Sequence, residues 1–182
     1  VTEQELVRKA KQGDMQAFEG IVKKYERQIA ATVIGMLGKC QAAEDTGQEV
    51  FVRFYKSIQN FHEGSTLGTY LTRIAINLSI NELRRRKRRQ FFFLTTDEEV
   101  ADAAFDPSDS ISRKERRELV QAAIRKLDPT FRAVVVLRMI EGYSTEETAG
   151  ILGIPLGTVL SRLSRAQKKL KEALVPYLEE SV

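Results

Sequence analysis

Apolar side chains recur at helical spacing almost from one end of this chain to the other, and nowhere does strict alternation between turn signals offer a half-buried strand. The chain reads as all-α. Thr2 and Glu5 have the spacing of a capping box ahead of a short helix that Gly13 ends, and Asp14 is placed to cap a second. That second helix carries Phe18, Ile21, Val22, Tyr25, Ile29, Val33 and Met36 on one face and stops near Gly38. A third, from about Ala42 to Ile58, turns Val50, Phe51, Phe54, Tyr55 and Ile58 inward. A fourth, from about Thr66 to Arg89, does the same with Leu71, Ile74, Ala75, Leu78 and Leu83. These four helices are expected to form one bundle over residues 1–90.

The rhythm lapses once, over residues 91–112, where acids, Ser and Thr dominate and Pro107 sits among Asp106, Ser108 and Asp109. This composition predicts a flexible acidic linker. Beyond it, Val120, Ala123, Ile124 and Leu127 mark a helix that ends at Asp128-Pro129. There Asp128 is expected to cap the next helix, and Pro129 to open it at a position that needs no N–H. That helix is expected to run to Gly142, a C-terminal glycine stop. The predicted architecture is two small helical domains, an N-terminal bundle and a unit over residues 113–182, joined by the linker.

Charge follows the same division. Residues 1–90 hold 16 Lys and Arg against 10 Asp and Glu, residues 91–112 hold six acids and no base, and residues 113–182 hold 13 bases against 9 acids. Two basic surfaces around an acidic connector suit a protein that meets a polyanion at two places. Other classes are poorly served. Cys40 is the single cysteine and His62 the single histidine, so there is no internal disulfide, no zinc cluster, no HExxH and no catalytic triad, nor is there a phosphate-binding glycine loop. No catalytic residue, cofactor or metal is expected. No apolar run approaches the roughly 20 residues that span a bilayer, and Thr2-Glu3-Gln4-Glu5 lacks the basic start of an export signal. A cytoplasmic protein with no membrane contact of its own is expected, consistent with its sparing use of cysteine.

The clearest local signal lies near the C-terminus. Ser144 and Glu147 form a second capping box, Ala149, Ile151 and Leu152 supply a short apolar face, and Gly153-Ile154-Pro155 breaks the helix before Thr158 to Leu170 resumes it. A short helix, a glycine turn and a longer basic helix make a helix-turn-helix. In the longer helix Val159, Leu163, Ala166 and Leu170 share one side, and Thr158, Ser161, Arg162, Arg165, Lys168 and Lys169 share the other. That polar side is suited to DNA: arginine reaches two guanine acceptors at once, and hydroxyls bond bases or phosphates.

The stretch from Glu141 to Ala149, with Leu152-Gly153-Ile154-Pro155 and Gly157 to Ala166, resembles the fourth region of extracytoplasmic-function (group IV) bacterial RNA polymerase sigma factors of the sigma-70 superfamily. Ala43 to Phe51 and Tyr70 to Leu78 resemble second-region motifs of the same family, in the expected order and spacing. The likeness thus spans nearly the whole chain. It departs from the family's usual pattern at Leu160 (commonly Lys or another polar residue), Thr148 (commonly Ile), Tyr70 (commonly Trp) and Gly47 (commonly a larger apolar residue). Gly47 costs a helix about 1 kcal/mol relative to Ala, and its expected use is close approach of a partner.

The resemblance implies a sigma factor that binds core RNA polymerase and directs initiation at particular promoters. Residues 1–90 would form the second-region domain and residues 113–182 the fourth-region domain. It assigns Asp45, Gln48, Glu49 and Phe51, with Arg53 and Phe54 nearby, to docking on core polymerase. In the fourth helix Arg73, Asn77, Asn81, Arg84, Arg85 and Arg88 recur as a polar stripe opposite the apolar one. The arginines suit phosphates and the asparagines suit bases. With Phe61, His62, Thr66 and Tyr70 this stripe would meet the melted strand of the minus-ten element. From the residues alone, Phe61 reads as a core staple and His62 as merely exposed. The resemblance instead makes the loop a receiver of an unstacked base. Duplex reading at the minus-thirty-five element would fall to Gly157, Thr158, Leu160, Ser161, Arg162, Ser164, Arg165, Lys168 and Lys169. An anti-sigma factor is the further expected partner.

Two other function classes compete with this reading. A stand-alone helix-turn-helix regulator explains residues 113–182 equally well but leaves the second-region motifs unexplained; an enzyme on a helical scaffold has no supporting constellation. The run Phe91-Phe92-Phe93 is expected to be covered in part, against the helical domains or a partner, since three adjacent phenylalanines are costly to expose. For the acids from Asp97 to Asp109, occupancy of a basic polymerase channel and a plain tether both remain open.

Overall fold

The computed structural model describes residues 2–62, 64–93 and 113–179, and every regular element among them is helical. Helix α1 (Glu3–Lys11) opens with Thr2, whose hydroxyl accepts from the Glu5 N–H while the Glu5 carboxylate accepts from the Thr2 N–H. Helix α2 (Met15–Leu37) is capped by Asp14, which accepts from the Gln16 and Ala17 N–H groups at 2.9 and 3.1 Å, and it ends at Gly38 with φ of 78°. Helix α3 (Gln41–Ser57) continues into a 3₁₀ turn over Ile58–Asn60. Helix α4 (Leu67–Phe93) follows.

α4 runs four residues beyond its expected end at Arg89. No glycine or proline interrupts Arg84 to Phe93, and Arg, Lys and Gln are good helix formers, so the helix carries through the basic run and the phenylalanines. Phe91 and Phe92 are 76% and 75% exposed and meet edge to face, with centroids 6.4 Å apart. The expected covering of the aromatic run by the helical domains therefore does not occur at these two positions. The acids from Asp97 to Asp109 lie outside the described residues.

In the C-terminal half, α5 (Arg113–Lys126) is followed by α6 (Pro129–Val135), which Pro129 opens as expected. Asp128 makes no side-chain cap bond; its carboxylate lies 3.8 Å from the Lys169 ammonium instead. The helix expected to reach Gly142 changes character at Val136, where a π-helical turn occupies Val136–Ile140 before Gly142 at φ 76°. Helix α7 (Thr145–Leu152) carries the expected Ser144–Glu147 capping box. Gly153 turns the chain in the left-handed region at φ 64°, a conformation that suits glycine. Helix α8 (Leu156–Glu179) starts two residues earlier than predicted and runs well past Leu170.

The core of the N-terminal bundle is built from α2, α3 and α4 around Ile21, Ile29, Met36, Val50, Phe54, Leu71 and Ile76. A smaller cluster, Ala123, Ile124, Leu127, Val135, Ala166 and Leu170, lies between α5, α6 and α8. The halves are packed on each other: Ala133, Val136, Leu137 and Ile151 belong to the same buried cluster as the α2 and α4 residues. No helix among the described residues is long and apolar enough to cross a membrane.

Candidate nucleic-acid interface

On α3 the apolar face is inward and the polar face outward, as its 3.6-residue period requires. Asp45 and Gln48 are exposed, and Asp45 accepts from the Gln41 amide at 3.0 Å. Glu49 is half-buried and pairs with exposed Arg53 one turn on, at 2.9 Å. Phe51 is half-buried, whereas Phe54 is wholly buried. Phe54 stacks with Phe18 and meets Phe61 and Tyr70 edge-on, so it supports the surface from beneath rather than forming part of it. Beside this face, Val22, Ile29, Val33, Ile34, Gly47 and Phe51 line an apolar groove of about 260 Å³ between α2 and α3. Gly47 is half-buried in its wall, and a Cβ there would stand 3.8 Å from Val33, an ordinary contact.

The loop before α4 divides its residues between core and solvent. Phe61 is 6% exposed, packed on Phe54 and Tyr70, with its carbonyl accepting from the Lys11 ammonium at 2.7 Å. It is a core staple and offers no free ring for a base. His62 and Thr66 are exposed, and the Thr66 hydroxyl accepts from the Thr69 N–H at 3.2 Å at the start of α4. Tyr70 is half-buried, its hydroxyl 3.3 Å from that of Ser57. An open cleft of about 500 Å³ is lined by Glu49, Arg53, Lys56, Tyr70 and Asn77 among others, so the α3 and α4 candidates share one depression.

Along α4, Arg73, Asn77, Asn81, Arg84, Arg85 and Arg88 are all exposed, which is the stripe the sequence predicts. Glu82 organises its far end. Its carboxylate takes Arg85 at 2.6 Å and Arg86 at 3.1 Å; burial opposes its ionisation, but these two arginines outweigh burial and hold it below the usual carboxylate range. Arg73 is not free: its guanidinium donates to the Gly150 carbonyl of α7 at 2.6 Å.

On α8, Val159 and Ala166 are fully buried and Leu170 nearly so, which turns the opposite face outward. Gly157, Ser161, Ser164, Arg165, Lys168 and Lys169 are exposed, Thr158 and Arg162 half-buried, and Leu160 is 50% exposed. Lys169 is drawn aside, its ammonium over the Phe131 ring at 5.1 Å as well as near Asp128. No group of three or more His, Cys, Asp or Glu side chains that could hold a metal ion occurs among the described residues.

Several polar residues that join the halves did not stand out in the sequence. Arg132 is 6% exposed, and its guanidinium donates to the carbonyls of Met36 at 2.6 Å, of Leu127 at 3.1 Å and of Arg125. Burial, then the Arg125 and Arg86 charges, bring its pKa down to about 10, so it stays protonated at neutral pH. The Tyr143 hydroxyl takes the Gln28 amide at 2.8 Å and lies 3.0 Å from the Thr72 hydroxyl. The one hint was that Arg132 opens directly onto the apolar run from Ala133 to Leu137.

Family comparisons fit this geometry. The model described as Sigma-70 region 2 matches residues 21–89, and that described as Sigma-70, region 4 matches residues 117–170. The RNA polymerase sigma-H factor of Pseudomonas aeruginosa is 34% identical, over 98% of this chain and 97% of its own. The ECF RNA polymerase sigma factor SigW of Bacillus subtilis is 34% identical, over 92% and 94%. Among solved structures, the sigma factor RpoE of Bartonella quintana, crystallised with the anti-sigma factor NepR, aligns at a TM-score of 0.67 and 25% identity, covering 86% of this chain and 96% of that one. CnrH, solved with the cytosolic domain of CnrY, shares the fold at a TM-score of 0.67 and 24% identity, over 96% and 97%.

Proposed function

The chain belongs to the extracytoplasmic-function branch of the sigma-70 family, and from that premise we propose how its surfaces divide the work of a transcription initiation factor that is not an enzyme. It binds core RNA polymerase and directs initiation at particular promoters. Residues 1–93, closed by α4, form the second-region unit, 94–112 the linker and 113–182 the fourth-region unit. In the first unit, the exposed polar face of α3, with Asp45, Gln48, Glu49 and Arg53, docks on core polymerase, and half-buried Phe51 anchors its apolar side.

The melted minus-ten strand lies along α4. Asn77 and Asn81 read bases, Arg84, Arg85 and Arg88 hold phosphates, and His62 and Thr66 border the unstacked base with Tyr70 beneath. The duplex minus-thirty-five element meets α8, where Arg162 and Arg165 sit at the centre of the outward face and Leu160 is placed to meet a thymine methyl. An anti-sigma factor completes the set of partners; the RpoE–NepR complex supports this. With these partners the chain works in the cytoplasm.

The observation that carries this reading is the presence, in one chain, of a region 2 match over residues 21–89 and a region 4 match over residues 117–170. Run-off transcription with core polymerase over a promoter library tests it. Initiation from a subset of templates that share two spaced elements is the expected result. Duplex binding by a dimer with no core affinity would instead make the chain a stand-alone helix-turn-helix regulator.

A further inference from the structure

The polar stripe of α4 does not end on a charge. Asn77, Asn81, Arg84 and Arg88 are followed by Phe91 and Phe92, so that the positions after Asn77 fall at i+4, i+7, i+11, i+14 and i+15. At 3.6 residues per turn these six positions lie within a sector about 100° wide, and both rings stand on the face that carries the stripe. There they are 76% and 75% exposed, and they belong to neither buried cluster. The region 2 likeness stops at residue 89 and gives the pair no role.

A pair of large apolar side chains in the open marks a contact surface, and the neighbouring residues indicate its occupant. Arg84, Arg85, Lys87, Arg88 and Arg89 are exposed in the two turns before the pair, and no acid occurs from Leu83 to Phe93. An apolar protein surface laid on the rings would desolvate these cations without pairing them. A single nucleic-acid strand offers a π face to a ring and a phosphate to a cation in every repeat. A duplex offers only the phosphate, because its bases are stacked inside. The two rings stand at 84° to each other with centroids 6.4 Å apart, which makes a corner and not a slot. Such a corner takes one base, face down on one ring with its edge towards the other.

From this placement we propose that Phe91 and Phe92 form a stacking site for one unpaired base of the melted promoter strand, beyond the bases that Asn77 and Asn81 read. The inference rests on the reading that lays this strand along α4. Helix geometry sets where the base lies. Phe91 is ten residues on from Asn81, about 15 Å at about 1.5 Å per residue. Bases about 3.4 Å apart cover that span in about four nucleotides, and a stretched strand covers it in fewer. Along α4 the strand then meets amides at base edges, guanidiniums at phosphates and finally rings at a base face. Every base has a π face, so this last contact tolerates any sequence. It adds affinity for melted DNA over duplex and leaves promoter choice to the asparagines and to α8.

The test uses holoenzyme carrying the full chain as wild type, Phe91→Ala/Phe92→Ala, Phe91→Leu/Phe92→Leu or Phe91→Tyr/Phe92→Tyr. Circular dichroism confirms that each variant is folded. Affinity is measured on fork templates, intact or with an abasic site at each of the four nucleotides beyond the one whose preference Asn81→Ala changes. On the intact fork the Ala and Leu pairs should bind about fivefold more weakly or worse, and the Tyr pair within about twofold of wild type. At one of the four positions the abasic site should erase the difference between wild type and the Ala pair. The slope of log affinity against log salt should be the same in all four proteins, because no charge has changed.

Full affinity in the Ala pair would overturn the site. So would full affinity in the Leu pair, which would make the contact apolar burial and not stacking, or a loss in the Ala pair that no abasic position erases. A dimer of the free chain in sedimentation that the Ala pair dissolves would assign the rings to a second copy. Wild type with no affinity for core polymerase would sink the sigma reading, and with it the promoter as source of the base. Titration of the free chain on single strands carrying 2-aminopurine then decides the stacking alone: quenching by wild type and the Tyr pair, but not by the Ala and Leu pairs, is expected, and equal quenching by all four would overturn it.

Discussion

At the scale of single residues, exposure separates candidates that spacing alone groups together. Arg162 and Arg165 lie on the outward side of α8, half-buried and exposed, while Lys169 is drawn towards Asp128 and Phe131. Arg162→Ala or Arg165→Ala should lose about 1 to 3 kcal/mol of discrimination at particular minus-thirty-five positions if the side chain reaches a base edge. Binding measured across a library of single-base variants decides the matter, since a loss uniform over all sequences marks a phosphate contact.

Glu141 presents a different case. One of its carboxylate oxygens is buried without a hydrogen-bond partner. Burial pushes its pKa above the usual 4.5, and the Thr32 hydroxyl only partly opposes this. The folded pKa lies above the unfolded one, so the fold bears no penalty below the unfolded value and an increasing one as pH rises through the folded value. Glu141→Gln should therefore raise the melting temperature near neutral pH, and the gain should vanish as pH falls below about 4.5. A gain that persisted in acid would mean that ionisation is not its cause.

At the scale of elements, most helices were legible because their signals are local. Thr2 with Glu5, Asp14, and Ser144 with Glu147 are side chains that bond backbone groups two or three residues on, so spacing alone reveals them. Gly153 was legible for the same reason. The π-helical turn at Val136–Ile140 was not, because its apolar residues fit an ordinary helix equally well. The inward direction of Phe54 was legible from the period of α3, and Phe61 read from its residues as a core staple. The family motif grouped both with surface residues because a motif marks a segment and not the direction of each ring, and both rings close over the interior of the bundle.

The exposed polar face of α3 carries its own prediction. Gln48→Lys with Glu49→Lys changes two outward groups and removes only one surface ion pair, that with Arg53, worth well under about 1 kcal/mol. Helical content and melting temperature should hardly change. Affinity for core polymerase should fall about 30-fold or more, the scale expected when anchors costing about 2 kcal/mol are lost. Core affinity retained at full strength in a pull-down titration would move the docking surface off this face.

At the scale of the whole molecule, the division into two units could be read from the charge blocks and the lapse in periodicity, but their packing on each other could not. Thr72, Arg132 and Tyr143 each sit at an unremarkable place in the sequence, and what they do between the halves comes from a partner 71 to 115 positions away. Charge, by contrast, is additive along the chain and survives any rearrangement of the halves. Arg84, Arg85, Lys87, Arg88 and Arg89 are exposed at the far end of α4, while Arg86 is half-buried and turned to Glu82 and the Cys40 sulfur. A stripe that holds phosphates contributes through counterion release, which is counted in charges rather than in base contacts. Arg84→Gln with Arg88→Gln should lower the slope of log affinity against log salt by about 1.4 on single-stranded promoter DNA, at about 0.7 for each phosphate that is no longer neutralised. Sequence preference should stay as it was. Asn77→Ala should do the reverse, changing base preference at one position and leaving the slope intact. Titrations of the holoenzyme on fork templates at several salt concentrations read both quantities. An unchanged slope in the double arginine variant would show that this end of α4 does not meet phosphate.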